Sequence, residues 1–90
     1  MSLTKVQISN MTLGKYMKQC REKAGVSQRV VAIHLGFTTA QFVSNVERGI
    51  SPLPIKQAER WLKFIEANKK TAWELMCIDY KRKTKRALGV

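Results

Sequence analysis

The stretch SQRVVAIHLGFTTAQFVSNVERG, residues 27–49, holds two short apolar patterns with the spacing of helices. The apolar positions of the first pattern are Val31, Ala32 and Leu35. Ser27 precedes them as a potential N-cap, and Gly36 follows them as a residue type that commonly ends helices. The first pattern therefore predicts a helix over residues 28–35.

The second pattern predicts another helix after a tight turn. Thr38 or Thr39 can cap its start. Val43 and Val46 should face inward, and the helix should end at Arg48, before a glycine. Only about three residues then separate the two helices. Two helices joined by such a turn are typical of the helix-turn-helix, in which the second helix enters the major groove of DNA.

Further helical patterns flank this stretch on both sides. The first, over about residues 12–24, begins with Thr12 as a potential N-cap. Another follows Pro52 and Pro54, which suit a turn and a first helical position. Its apolar residues at core spacing are Ile55, Ala58, Trp61, Leu62 and Ile65. This pattern is the most regular in the chain, so it should supply much of the core.

The last predicted helix has Thr71 as a potential cap and two apolar faces. One face carries Trp73, Met76, Cys77 and Tyr80, and the other carries Leu75 and Ile78. One face is needed for the core, and the second could form a dimer surface through Leu75 and Ile78 or pack against the N-terminal segment. The prediction is an all-α fold of five helices: residues 1–11 as an arm, 12–66 as the main domain, and 67–90 as a C-terminal helix with a basic tail.

The charge of the chain is strongly basic, with 17 Lys and Arg against six Asp and Glu and a net charge of +11. The excess is concentrated in residues 12–49, which carry +4, and residues 69–90, which carry +5. Such a charge says nothing of fold, but it favours an anionic partner, either nucleic acid or an anionic membrane surface. The run KRKTKR, residues 81–86, could follow a phosphate backbone or simply keep the protein soluble.

The residues that usually build catalytic or metal sites are sparse. The two cysteines, Cys20 and Cys77, have no CxxC spacing, and the single His34 cannot complete a metal site, so both thiols should be small core residues. We expect no cofactor, no metal, no small-molecule substrate and no enzymatic activity. No apolar run suits a signal peptide or a membrane span, so we expect a cytoplasmic protein without a membrane partner.

Several motifs of the central stretch resemble the phage repressor and Cro family, also called XRE-like, of helix-turn-helix regulators. These motifs are SQ at residues 27–28, Ala32, LG at 35–36 and VERG at 46–49, and the resemblance covers about residues 12–66. It implies the five-helix fold of lambda-repressor-like domains and binding to operator DNA. It also implies that Gln28 holds a phosphate and that Arg21 and Glu47 form a structural ion pair.

The base-reading residues should project from the start of the third helix. The candidates are Thr38, Thr39, Ala40, Gln41, Ser44 and Asn45. Gln41 and Asn45 lie four apart on one helical face, and each amide can pair with adenine in a bidentate contact, whereas Thr39 or Ala40 can touch a thymine methyl. Arg29, Arg48 and Lys56 should flank the groove and hold phosphates.

The chain departs from the family in two ways. GFTTAQF, residues 36–42, holds one residue more before Val43 than the commonest pattern, which leaves the register of the base-reading residues open. Phe42 could pack under this longer turn or contact a thymine methyl or sugar, and we favour packing. Val30 and Ile33 also stand where charged residues are usual.

The leading hypothesis from the sequence is a sequence-specific regulator, a repressor, that binds paired operator half-sites as a homodimer. A second hypothesis is a non-specific architectural binder that relies on the +11 charge and the basic tail. A third is an antitoxin-like adaptor in which the helix-turn-helix is only a scaffold for a protein partner.

Overall fold

The computed structural model describes residues 11–90, so nearly all of the predicted arm lies outside the described residues. Five helices follow one another: α1 (Leu13–Lys23), α2 (Gln28–Leu35), α3 (Gln41–Glu47), α4 (Ile55–Phe64) and α5 (Lys69–Leu88). Residues 11–90 contain no strand. The predicted all-α class with five helices is therefore confirmed for the described part of the chain.

The first two helices begin and end as their sequence signals predict. The Thr12 hydroxyl accepts a hydrogen bond from the backbone N–H of Lys15 at 3.2 Å, and the Ser27 hydroxyl accepts one from Val30 at 3.1 Å. Gly36 ends α2 in the left-handed conformation, with φ of 82°. Local capping chemistry thus marks both ends of α2.

The start of α3 differs from the prediction. Ala40 is the N-cap and makes no side-chain cap, while the Thr39 hydroxyl accepts a 3.3 Å hydrogen bond from the N–H of Gln41. Neither threonine therefore caps the helix as expected, and the turn occupies residues 36–40. The longer turn accommodates Phe37, whose ring lies edge-on to Phe42 with 5.1 Å between centroids. Phe42 itself packs against the core, as we favoured.

The core lies where all five helices meet. Its largest fully buried side chains are Trp61, Met17, Ile65, Leu75, Val31 and Val43. Ile55 was expected among them but is 91% exposed, because α4 begins there and Leu53, in the preceding turn, takes the buried place. Cys20 packs against the core, and both cysteines are half-buried free thiols.

The face of α5 that was considered as a dimer surface packs into the core through Leu75. Leu75 is fully buried, whereas Trp73 is 64% exposed and Tyr80 is 70% exposed. Leu75 therefore belongs to the core and cannot form a dimer surface, and Ile78 is half-buried. Thr71 is also not the cap, because the side chain of Asn68 accepts from the Thr71 N–H at 2.9 Å and starts the helix earlier.

The basic run belongs to α5 rather than to a separate tail. The helix continues through residues 81–86 to Leu88, and Gly89 follows as its C-cap in the left-handed conformation. None of the helices within residues 11–90 combines the length and apolar character needed to cross a bilayer.

The N-terminal turn of α1 is held closely against α3 and α5. A Cβ atom on Gly14 would lie 2.6 Å from the Val46 carbonyl oxygen, a separation that real Cβ atoms essentially never show. Only glycine therefore permits this approach of α1 to the end of α3. On the other side, the backbone N–H of Leu13 donates to the Asp79 carboxylate at 3.0 Å, so α5 supplies a partner for the start of α1.

Candidate nucleic-acid interface

The outward side of α3 carries a row of polar side chains joined by hydrogen bonds. Asn45 Oδ1 accepts from Gln41 Nε2 at 2.9 Å and from the Arg48 guanidinium at 3.0 Å. Gln41 and Arg48 are exposed, and Asn45 is half-buried. The row therefore orients the amides, while the Gln41 Oε1 and the Asn45 Nδ2 still offer an acceptor and donors to a ligand.

The other base-reading candidates lie beside this row. Thr38 and Thr39 are exposed in the turn before α3, Ala40 is half-buried at the N-cap, and Ser44 is half-buried one turn further on. The structure thus brings the six candidates to one end and one side of α3. Their contact with bases stays a prediction.

A buried polar cluster fixes α3 against the first two helices. Arg21 Nε donates to Glu47 Oε2 at 2.7 Å, and a second guanidinium nitrogen donates to Oε1 at 3.2 Å. Arg21 also donates to the carbonyl of Val26 at 2.9 Å, in the turn before α2. The pair implied by the family resemblance is therefore present as a two-bond contact of the kind that Arg favours. Since both residues are buried, removing either partner would leave an uncompensated charge inside the protein.

Gln28 takes part in the same cluster. Its Nε2 donates to Glu47 Oε1 at 2.9 Å, so this carboxylate joins α1, α2 and α3. The amide is half-buried at the first residue of α2, where helix N–H groups also point outward. A phosphate contact by Gln28 would thus come from a side chain that the protein already holds in place.

The three proposed phosphate-binding cations are all exposed but lie in different places. Arg29 is in the first turn of α2, Arg48 directly follows α3, and Lys56 is in the first turn of α4. Arg48, together with Gln28 and Ser44, lines a groove between α1, α3 and α5. Arg29 and Lys56 do not line it.

The same groove contains five further basic residues, of which the sequence singled out only those in the run at residues 81–86. They are Lys15 and Lys18 of α1 and Arg82, Lys83 and Arg86 of α5. Their helical spacing is visible in the sequence, but no local signal shows that the start of α1 and the end of α5 lie together. Only the packing of α5 across α1 makes them neighbours of α3.

A family model of the helix-turn-helix domain matches residues 12–70 of the chain. The chain belongs to the helix-turn-helix domain family. This membership agrees with the α2–turn–α3 corner and supports DNA binding as the activity of the domain. Searches of curated proteins and of solved structures return no significant match.

Proposed function

We propose that this helix-turn-helix protein is a sequence-specific regulator of the phage repressor and Cro type, which occupies operator DNA and represses transcription in the cytoplasm. The observation that carries the proposal is the surface of α3. Its outward residues have short polar groups, and its one acidic residue, Glu47, is turned inward and buried. No carboxylate of α3 therefore opposes the approach of this helix to the phosphate-lined major groove.

Base recognition would use the two amides of α3. Gln41 and Asn45 lie one turn apart, and an amide can pair with the major-groove edge of adenine. Gln41 Oε1 is available as an acceptor, whereas Asn45 Oδ1 already accepts from Gln41 and Arg48, so Asn45 would offer its Nδ2 donors or exchange one of these bonds on binding. Their mutual hydrogen bond restricts their conformations before DNA arrives, so less side-chain entropy is lost on binding. Thr39 or Ala40, just before the first residue of the helix, would contact a thymine methyl group.

Phosphate contacts would hold this helix in register. Gln28 and Arg29 stand at the start of α2, Arg48 follows α3, and Lys56 stands in the first turn of α4. Contacts of this kind position a protein on the duplex and leave the choice of sequence to the base-reading residues.

Binding as a homodimer to two half-sites is part of the proposal. Of the two α5 residues first considered for the dimer surface, only Ile78 remains accessible, since Leu75 is fully buried. A two-fold dimer would require an inverted repeat, with half-site centres about 34–36 Å or a multiple of that distance apart.

The test is selection of binding sites from random duplex DNA at a stated salt concentration. It compares the purified protein with Gln41→Ala, Asn45→Ala and the control Gln19→Ala, which removes an exposed amide from α1. The proposal predicts one enriched motif, relaxed at particular base pairs by the two α3 substitutions and unchanged by the control. An inverted repeat in the motif would support the dimer.

Two other results would favour the alternatives. Tight, salt-sensitive binding without any enriched motif would favour an architectural binder, for which the basic groove beside α3 is the relevant observation. Cellular function that survives the combined Gln41→Ala and Asn45→Ala substitutions would favour an adaptor that acts through a protein partner. Either result would contradict the regulator proposed here.

A further inference from the structure

The groove between α1, α3 and α5 collects positive charge from three separate parts of the chain. Its cations are Lys15, Lys18, Arg48, Arg82, Lys83 and Arg86. Gln28 and Ser44 also line it, so the groove is continuous with the surface proposed to read DNA. We call these six cations and the space between them the basic groove.

The acids in the basic groove are already engaged within the protein. Of the described residues that line it, only Asp79 and Glu47 are acidic. Asp79 accepts a hydrogen bond from the N–H of Leu13, and Glu47 is bonded to Arg21 and Gln28. Both carboxylates therefore have structural roles, and Glu47 already pairs with Arg21, which is not one of the six cations. Cations held this close together raise the local potential and favour a polyanion.

The cations of α5 are divided between two sides of the helix. Arg82, Lys83 and Arg86 line the basic groove, whereas Lys81 and Lys85 are exposed but do not line it. Along the helix axis, residues 83 and 86 are separated by about 4.5 Å. One DNA strand presents a phosphate about every 3.4 Å of its axis, so side chains at these positions can reach neighbouring phosphates.

We infer that the basic groove binds the phosphate backbone of the same duplex that α3 reads, on the flank of the recognised base pairs. This inference rests on the proposed function. It gives the end of α5 a direct role in DNA affinity, through the side that faces α1 and α3. The backbone contacts in the groove carry no sequence information, so they raise affinity for all duplexes that reach it.

The experiment compares two double variants of the full chain that remove equal charge from α5. Lys83→Gln with Arg86→Gln empties part of the groove, and Lys81→Gln with Lys85→Gln is the matched control outside it. Affinity for the selected duplex is titrated at several salt concentrations. Two lost phosphate contacts should make the slope of log K against log salt about 1.8 less steep for the groove variant, and the control should change it by less than half as much.

A third variant tests the opposite wall of the basic groove. Lys15→Gln with Lys18→Gln changes α1, so its effect does not depend on the folding of the end of α5. It should reduce the slope as the α5 groove variant does, and phosphate-ethylation interference should place both losses on the same stretch of backbone. Thermal unfolding of each variant checks that the fold is retained.

Two results would overturn the inference. Equal slope changes for the groove and control variants would show that α5 acts only through net charge, and an unchanged slope for both groove variants would show that the groove is not used. Failure of the proposed function would give a different set of results. In that case site selection gives no motif with the unmodified protein, while the groove variants still reduce the salt slope on arbitrary duplexes.

Discussion

The α2–α3 corner and the end of α5 use charged and polar groups in opposite ways. At the corner, Glu47 is buried and bonded to Arg21 of α1, and the outward side of α3 carries short amides and hydroxyls. At the end of α5, Lys and Arg side chains are exposed on long, flexible stems. In the proposed function, this difference separates the two parts of DNA binding, because ordered short groups suit base recognition and long-stemmed cations suit the phosphate backbone.

The largest effect is expected from breaking the buried pair at the corner. Glu47→Ala leaves the Arg21 guanidinium without its carboxylate, so it should lower the free energy of unfolding by about 3–5 kcal/mol. Urea denaturation measures the change. Glu22→Ala, an exposed acid on α1, is the control and should change stability by less than about 0.5 kcal/mol. Similar losses in the two variants would show that the buried pair contributes nothing special.

A steric change at Gly14 tests how closely α1 packs against the α2–α3 corner without altering any charge. Gly14→Ala places a methyl group against the carbonyls of Val46 and Glu47, and α1 must shift away from α3. Overpacking of this kind costs about 1–3 kcal/mol of stability. Thermal unfolding beside the exposed control Gln19→Ala measures it. A variant as stable as the control would contradict the close approach of the two helices.

Binding measurements should distinguish the role of the α2–α3 corner from the role of the end of α5. Asn45→Ala removes amide donors from α3, so discrimination between the selected duplex and a scrambled one should fall by about 1–3 kcal/mol. Lys83→Gln with Arg86→Gln should instead weaken both duplexes to a similar extent. Affinities for the two duplexes, measured at one salt concentration, decide between these patterns. Equal behaviour of the two variants would remove the distinction between the corner and α5.

The smallest effect concerns the contact that joins α1 to the start of α5. The Tyr16 hydroxyl accepts a 2.9 Å hydrogen bond from the backbone N–H of Asn68, so Tyr16→Phe should cost about 0.5–1.5 kcal/mol. Burial raises the pKa of Tyr16 above its ordinary 10.0, although the Asn68 bond acts the other way. The unfolded phenol therefore ionises first, and the unmodified protein should lose stability as the pH rises above 10.0. Denaturation at pH 8 and above pH 10 should show no such Tyr16-dependent loss in the variant.

Local signals in the sequence predicted much of this fold. The caps at Thr12 and Ser27 and the end of α2 at Gly36 were predicted because each depends on residues within one helical turn. The predicted start of α3 was wrong, because the turn packs Phe37 against Phe42 and against Trp61, which α4 brings from a distant part of the chain. The cap predicted at Thr71 and the burial predicted for Ile55 were also wrong. In each case a nearby residue takes the role, since Asn68 caps α5 and Leu53 is buried instead of Ile55.

The candidate site was likewise predicted only in part. The polar side of α3 is visible in its helical spacing, and the contact between Arg21 and Glu47 agrees with the family resemblance. The basic groove was not predicted, because Lys15 and Lys83 are distant in sequence and become neighbours only when α5 crosses α1. The choice between the two apolar faces of α5 was open for the same reason, and packing buried Leu75.

The sequence by itself determined the all-α class, the position of α2 and the polar surface of α3, because capping and helical periodicity act over a few residues. Only the tertiary structure decided which side of α5 is buried and which of its cations stand beside α3. Those choices depend on packing between helices that are distant in sequence. No local pattern of residues contains that information.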